Sequence, residues 1–307
     1  MAQVSIIGSG NVGANAAFFI AEKGVTDVLL VDIQHDLSRG KALDIMEAAP
    51  IRRYRNILAG TDSIGDIRGS QMVVLAAGAI RKPGMRREDL YGVNSGLVRS
   101  LASEVARLAS ESVVVVATEP VDSLTALFAR ESGMPRTRVL GLGGILDATR
   151  LRALIARELD VSMEIVSAMV VGRHSDDMIC LPRYCSVSGV PLPLLLGPER
   201  IDALVRETRR AGGLVVELAK RSSAYYAPSA AIAELADSIH MNLNRIFPVS
   251  IGLEGEYGAR DAALSLPAVI GEKGAVRIMT PELTPEETAA FLASAREIAA
   301  LVKRAAA

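Results

Sequence analysis

Tryptophan is absent from the 307 residues, aromatic side chains make up only 4%, and there are two cysteines and three histidines. Two cysteines are too few for a disulfide framework or for a zinc site built on cysteine ligands. Cys180 and Cys185 therefore read as reduced, buried thiols, and no metal is expected. Net charge is −1 and no long run of one sign occurs. That removes the electrostatic case for nucleic acid or an anionic membrane surface. Apolar runs break well short of the roughly 20 residues a bilayer-spanning helix needs, and no signal peptide precedes the first strand pattern. A cytoplasmic protein is expected. Lysine is scarce as well, six against 28 arginines. Only arginines in special local contexts then carry information.

What is present is apolar bulk and glycine. Half the residues are hydrophobic and 26 are glycine, the composition of a well-cored globular chain. The length suits roughly two domains of about 150 residues. In the first half, short apolar runs alternate with longer helical patterns: "VSIIG", "DVLLVD", "NILAG", "MVVLAAG" and "VVVVA". Runs of four to six without polar alternation indicate strands buried on both faces, as in a parallel sheet covered by helices. After "VLGLGG" the rhythm changes. A helix over 145–159 leads to a strand ending at Val171, and "MICLP" with "CSVSGVPL" resembles a hairpin. Two Ala-rich helices, three strand patterns and a closing helix follow. The fold class predicted is α/β: a Rossmann-type doubly wound parallel sheet followed by an α+β catalytic domain, divided into 1–143 and 144–307.

"GSGNVG" follows the first strand and opens the first helix, supplying Gly8, Ser9, Gly10, Asn11, Val12 and Gly13. Gly8 permits the tight turn, Gly10 lets backbone amides approach a pyrophosphate, and Gly13 allows helix and strand to pack closely. A bare GxGxxG is weak evidence. Asp32, 19 residues on at the end of the second strand, strengthens it, because a carboxylate there accepts hydrogen bonds from a ribose. The alternative for Asp32 is a helix cap or turn residue. No arginine follows directly, and the acid would repel a 2′-phosphate, so NAD is favoured over NADP.

"AAGAIRKPGMRREDL" follows the fourth strand, with glycines at 78, 84 and 92 around Arg81, Lys82, Arg86 and Arg87. It reads either as a solvated basic loop or as a cationic segment closing over an anionic substrate. "GILDATRLR" puts Asp147 and Arg150 on one helix face. They form a surface pair, or else Arg150 grips a carboxylate while Asp147 accepts the ring N–H of a histidine. "VVGRHSDDM" offers that histidine, His174. His35 sits just past the ribose carboxylate, and His240 lies in a helical pattern that suits packing or surface exposure.

In order and spacing, these motifs with "TEPVD" and "YYAPSAAIAE…LEGEYG" resemble the lactate/malate dehydrogenase family, malate type, over nearly the whole chain. The resemblance implies that His174 is the proton acceptor in malate oxidation, oriented by Asp147. Arg150 would hold the carboxylate beside the reacting carbon, Arg87 would polarise the carbonyl, and Arg81 would bind the distal carboxylate. Asn94, Ala117, Thr118 and Glu119 would contact NAD, Glu119 reaching the substrate as well. The substrate pair implied is malate/oxaloacetate and the assembly a homodimer or homotetramer. The alternatives are a lactate or other 2-hydroxyacid dehydrogenase, or a catalytically weakened NAD-binding paralogue.

Three positions depart from the family pattern. Glu119 stands where asparagine is usual, and Arg173 and Ser175 replace the glycines flanking the histidine. A carboxylate at 119 would repel a dicarboxylate unless paired or protonated. Arg173 either pairs with Glu119 or points to solvent or a neighbouring subunit. Ser175 is expected to strain a backbone position suited to glycine.

Overall fold

The computed structural model describes residues 3–79, 87–220 and 224–304, with the backbone alone for His35, Arg87 and Glu88. Arg81, Lys82 and Arg86 lie outside the described residues. The first half runs β1 (Gln3–Ile7), α1 (Asn11–Lys23), β2 (Asp27–Val31), α2 (His35–Arg52), β3 (Leu58–Thr61), β4 (Met72–Leu75), α3 (Arg87–Leu108), β5 (Val113–Val116), α4 (Val121–Ser132) and β6 (Val139–Gly141). These strands are parallel and lie in the order β3-β2-β1-β4-β5-β6. Successive residues face opposite layers. Ile6, Val74 and Val115 enter one buried cluster with Ala16, Ala17 and Ile20 of α1. Ile7, Val73, Leu75 and Val114 enter a second with Val98, Ala102, Leu127 and Phe128 of α3 and α4. Burial on both faces is why these strands read as near-continuous apolar runs, and the buried Ser5 hydroxyl of β1 is satisfied by that of Ser70 at 2.7 Å.

The second half runs α5 (Gly143–Leu159), β7 (Val166–Ser167), β8 (Val170–Val171), β9 (Ile179–Cys180), β10 (Ser186–Val187), β11 (Val190–Pro191), α6 (Pro198–Ala219), α7 (Tyr226–His240), β12 (Arg245–Glu254), β13 (Arg260–Gly271), β14 (Gly274–Ile278) and α8 (Pro285–Arg304). Its long strands build no separate sheet. β12 pairs antiparallel with β6, Ser250 opposite Gly141, and β13 and β14 follow it to complete a nine-stranded sheet. That continuity ties the start of α5, where Asp147 sits, to the end of β6.

Two readings of the sequence need correction. "MICLP" and "CSVSGVPL" do not pair with each other. β9 pairs with β8, while β10 pairs with β7 and β11, in a separate small sheet. A 3-10 turn over Pro182–Tyr184 separates the two segments and redirects the chain. Helix α4, shortly after "VVVVA", was not read from the sequence; eight of its twelve residues are buried, including the polar Asp122, Ser123 and Thr125. Cys180 and Cys185 are both buried and free, and burial pushes their thiols up to about 12 and about 11. Among the described residues, no helix is long and apolar enough to cross a membrane.

Candidate active site

The turn from β1 to α1 is set by its glycines. Gly8 has φ +105°, and a Cβ there would lie 2.5 Å from the Ala77 backbone nitrogen. A Cβ on Gly13 would come within 1.9 Å of the Gly8 carbonyl oxygen, whereas one on Gly10 would enter open space. α1 begins with no side-chain cap and no acid in its first turn. Its first N–H groups therefore need acceptors from outside the helix, in a setting that favours an anion. Asp32 is held at the adjacent edge, one carboxylate oxygen accepting the Ser9 amide at 2.7 Å and the other the Gln34 amide at 3.0 Å. A cleft of about 620 Å³ runs past Gly10, Asn11, Val12, Asp32 and Ile33 to Asn94. An unfilled Gly10 cradle, uncapped amides and a carboxylate at ribose distance along the chain fit a dinucleotide of the NAD type.

Asn94 is buried and joins two loops. Its side-chain oxygen accepts the Ala79 amide at 2.8 Å, and its amide donates to the Glu119 carbonyl at 2.8 Å. The Thr118 hydroxyl donates to the Ala77 carbonyl at 2.7 Å. Ala117, Thr118 and Glu119 are thereby fixed at the carboxyl end of β5. They line a smaller cavity of about 130 Å³, contiguous with the cleft through Val12 and Ala76–Ala79, whose far wall holds Arg150 and His174.

His174 stands in that wall with its side chain only 2% exposed. The His174 Nδ1 and Asp147 Oδ2 atoms are 2.7 Å apart, while Asp147 Oδ1 accepts from Arg150 at 3.0 Å. The opposite ring nitrogen, Nε2, lies 3.4 Å from Glu119 Oε1. Asp122, wholly buried at the start of α4, accepts the His174 backbone amide at 2.6 Å. Burial alone would push the imidazole down. The charge and hydrogen bond of Asp147, aided by Glu119, outweigh it and hold the ring up at about 9. Burial likewise raises the Asp122 carboxyl, against the lowering effect of the His174 amide. The arrangement is a charged imidazole of fixed orientation, placed to give a proton to, or take one from, a molecule in the cavity.

The model of the lactate/malate dehydrogenase NAD-binding domain matches residues 2–141, and that of the family's alpha/beta C-terminal domain matches 145–307. The chain belongs to the lactate/malate dehydrogenase family. It is 42% identical to the malate dehydrogenase of Bacillus subtilis, covering 98% of this chain and 97% of that protein. The structure of Cryptosporidium parvum malate dehydrogenase superimposes with TM-score 0.95 at 31% identity, covering 99% of this chain and 98% of that one. The lactate dehydrogenase of the same organism, complexed with lactic acid and NAD, gives 0.94 at 32%, covering 99% and 97%. As a member of this family the chain is an NAD-dependent oxidoreductase.

Within this family frame, the structure brings His174, Arg150 and Glu119 to one cavity, with Asp147 buried behind the His174 ring, and Asp32 to the neighbouring cleft. Arg81 lies outside the described residues, and of Arg87 only the backbone is described, at the head of α3. Of the two readings of Arg173, the pair with Glu119 is not seen among the described residues. Arg173 pairs with Glu297 of α8 at 2.8 Å, while Glu119 turns to His174. Ser175 is not among the residues with left-handed backbone. That conformation falls on Gly172, at φ +85°, so the strain expected at 175 is absent. Asp122 is the functional residue that sequence reading missed. It was visible as the last letter of "TEPVD", but nothing local shows that a carboxylate there reaches an amide 52 residues away. His240 is a packing residue, its Nδ1 lying 2.7 Å from the Gln71 side-chain oxygen.

Proposed function

We propose that this chain is a malate dehydrogenase that interconverts malate and oxaloacetate with NAD, using His174 as acid and base. The observation that carries the reading is the His174–Asp147 pair at 2.7 Å, opening onto a cavity that also holds Arg150. Bound NADH supplies the hydride that reaches the carbonyl carbon. In reduction, the His174 imidazolium gives its Nε2 proton to the carbonyl oxygen, leaving a neutral imidazole and a 2-hydroxy acid. Asp147 accepts the Nδ1 hydrogen bond, which fixes the ring's tautomer and orientation and stabilises the imidazolium. Arg150 holds the carboxylate beside the reacting carbon. Arg87 polarises the carbonyl and Arg81 binds the distal carboxylate, which is what separates a dicarboxylate from lactate. Gly8 to Gly13, Asp32, Asn94 and Ala117–Glu119 hold the dinucleotide. The division into an NAD-binding part, 1–143, and a catalytic part, 144–307, belongs to the same proposal.

NADH consumption with oxaloacetate and with pyruvate, beside an NADH-binding titration, tests this reading. Turnover should strongly favour oxaloacetate, and Arg81→Gln should move the preference towards pyruvate. NADH binding without turnover would instead favour a weakened paralogue, the reading that Glu119 motivates. The assembly we propose is a cytoplasmic homodimer or homotetramer. Leu43 and Ile51 on α2, 62% and 82% exposed, and Leu218 on α6, 72% exposed, offer apolar surface for it. Light scattering in solution reads the copy number.

A further inference from the structure

His174 has two ring nitrogens, and Asp147 occupies one. Only Nε2 can exchange a proton with a substrate, and in this structure the Glu119 carboxylate lies 3.4 Å from it. Among the described residues, three other charged groups near the ring have partners of their own. Asp122 of α4 accepts the His174 main-chain amide, Arg150 of α5 lies on the far oxygen of Asp147, and Arg173 is drawn to Glu297 of α8. The ring therefore stands between two carboxylates, one 1% exposed and one 33% exposed on the cavity side.

The two carboxylates differ in what fixes them. Asp147 is locked by His174 on one oxygen and Arg150 on the other. For Glu119 it is the main chain that is locked, by Asn94 on its carbonyl and by the bonded Thr118 before it. Its side chain lines the cavity. A carbonyl oxygen accepting the Nε2 proton needs the position this carboxylate holds. An anionic substrate cannot share the imidazolium with it, because the two like charges would lie within a few ångströms of each other.

We propose that Glu119 is the resident counter-ion of His174 in the empty site, a carboxylate that an anionic 2-oxo acid must displace from Nε2 before it can be reduced. This rests on the dehydrogenase reading for its substrate, but not for the contact itself. Glu119 acts through His174 and is a positioning residue. It keeps the imidazole charged while the site is empty and weakens the binding of any acid that replaces it.

The contact is measured without substrate. With three histidines in the chain, NMR titration of isotope-labelled histidine follows each ring, and His174→Asn identifies the resonance that vanishes. Glu119→Gln keeps shape and removes charge, and Glu119→Asn provides a second, smaller neutral side chain. Both should lower the His174 titration midpoint by about one unit or more, leaving His35 and His240 unmoved. Tartronate, an unreactive dicarboxylate, should then bind several-fold more tightly to both variants near pH 6, where the ring is still charged. Unchanged His174 midpoints in both variants, or weaker tartronate binding, would overturn the proposal. A protein that reduced no 2-oxo acid yet showed the His174 shift would refute the reaction and uphold the contact.

Discussion

The two halves of the molecule solve their problems over different distances. In the dinucleotide half, the glycine turn, the first helical amides and Asp32 all lie within residues 8–34, and backbone shape carries most of the work. In the catalytic half, His174 depends on Asp147, Asp122 and Glu119, which are 27, 52 and 55 positions away in the chain. A local site is specified by what fits the backbone. A dispersed site is specified by which charges the sheet brings together. The dinucleotide turn accordingly keeps its motif letter by letter, while the dispersed site around His174 has absorbed a change of charge at Glu119, a residue the first half contributes.

The contrast predicts that damage in one half should leave the other working. The largest effect is expected at His174. His174→Asn should lower turnover by about 10²–10⁴-fold, the range for loss of a general acid–base, with NADH affinity nearly intact. A parallel loss of NADH binding in a calorimetric titration would mean that the halves are not separable. Next comes Arg150→Gln, which removes a charged partner of both substrate and Asp147. A cost of about 2–5 kcal/mol in kcat/KM for oxaloacetate is expected, again without change in NADH affinity.

Breaking the local half should look different. Gly13→Ala places a methyl 1.9 Å from the Gly8 carbonyl, and α1 must move. A loss of about 1–3 kcal/mol of stability is expected, with NADH binding falling before the His174 titration changes. Equal stability of the variant and the parent in denaturant would show that the turn has slack the structure does not suggest.

The smallest effect is the pH dependence of stability. His174 is held up at about 9 in the folded chain, against an ordinary 6.5. The folded state thus prefers the imidazolium. Its contribution is complete below about pH 6.5 and fades as pH rises towards about 9. The stability difference between the parent and His174→Asn should shrink over that window. A difference independent of pH would mean that the two carboxylates do not hold the proton on the ring.

Much of this was legible in the letters. Strands of four valines such as "VVVV" have one use in a sheet buried on both sides, and glycine at 8 and 13 has a steric reason that needs only the neighbouring turn. The pairing of Asp147 with Arg150 follows from helical spacing alone. α4 was missed although Val121, Leu124, Leu127 and Phe128 recur at helical spacing. The partner of β8 was not legible, since two-residue strands carry too little pattern to choose between neighbours.

By itself, the sequence determined the parallel core, the dinucleotide turn and the presence of an acid, a base and several arginines suited to an anionic substrate, because each of these is encoded within a few residues by shape or spacing. Only the tertiary structure decided where the departures point. Arg173 and Glu119 were candidates for each other on charge alone. The fold turns Arg173 towards α8 and Glu119 towards His174, because β12 joins β6 and so sets α5, the end of β5 and the histidine loop around one cavity. Coulomb attraction acts between whichever charges are closest, and closeness between residues 55 apart is a property of the sheet.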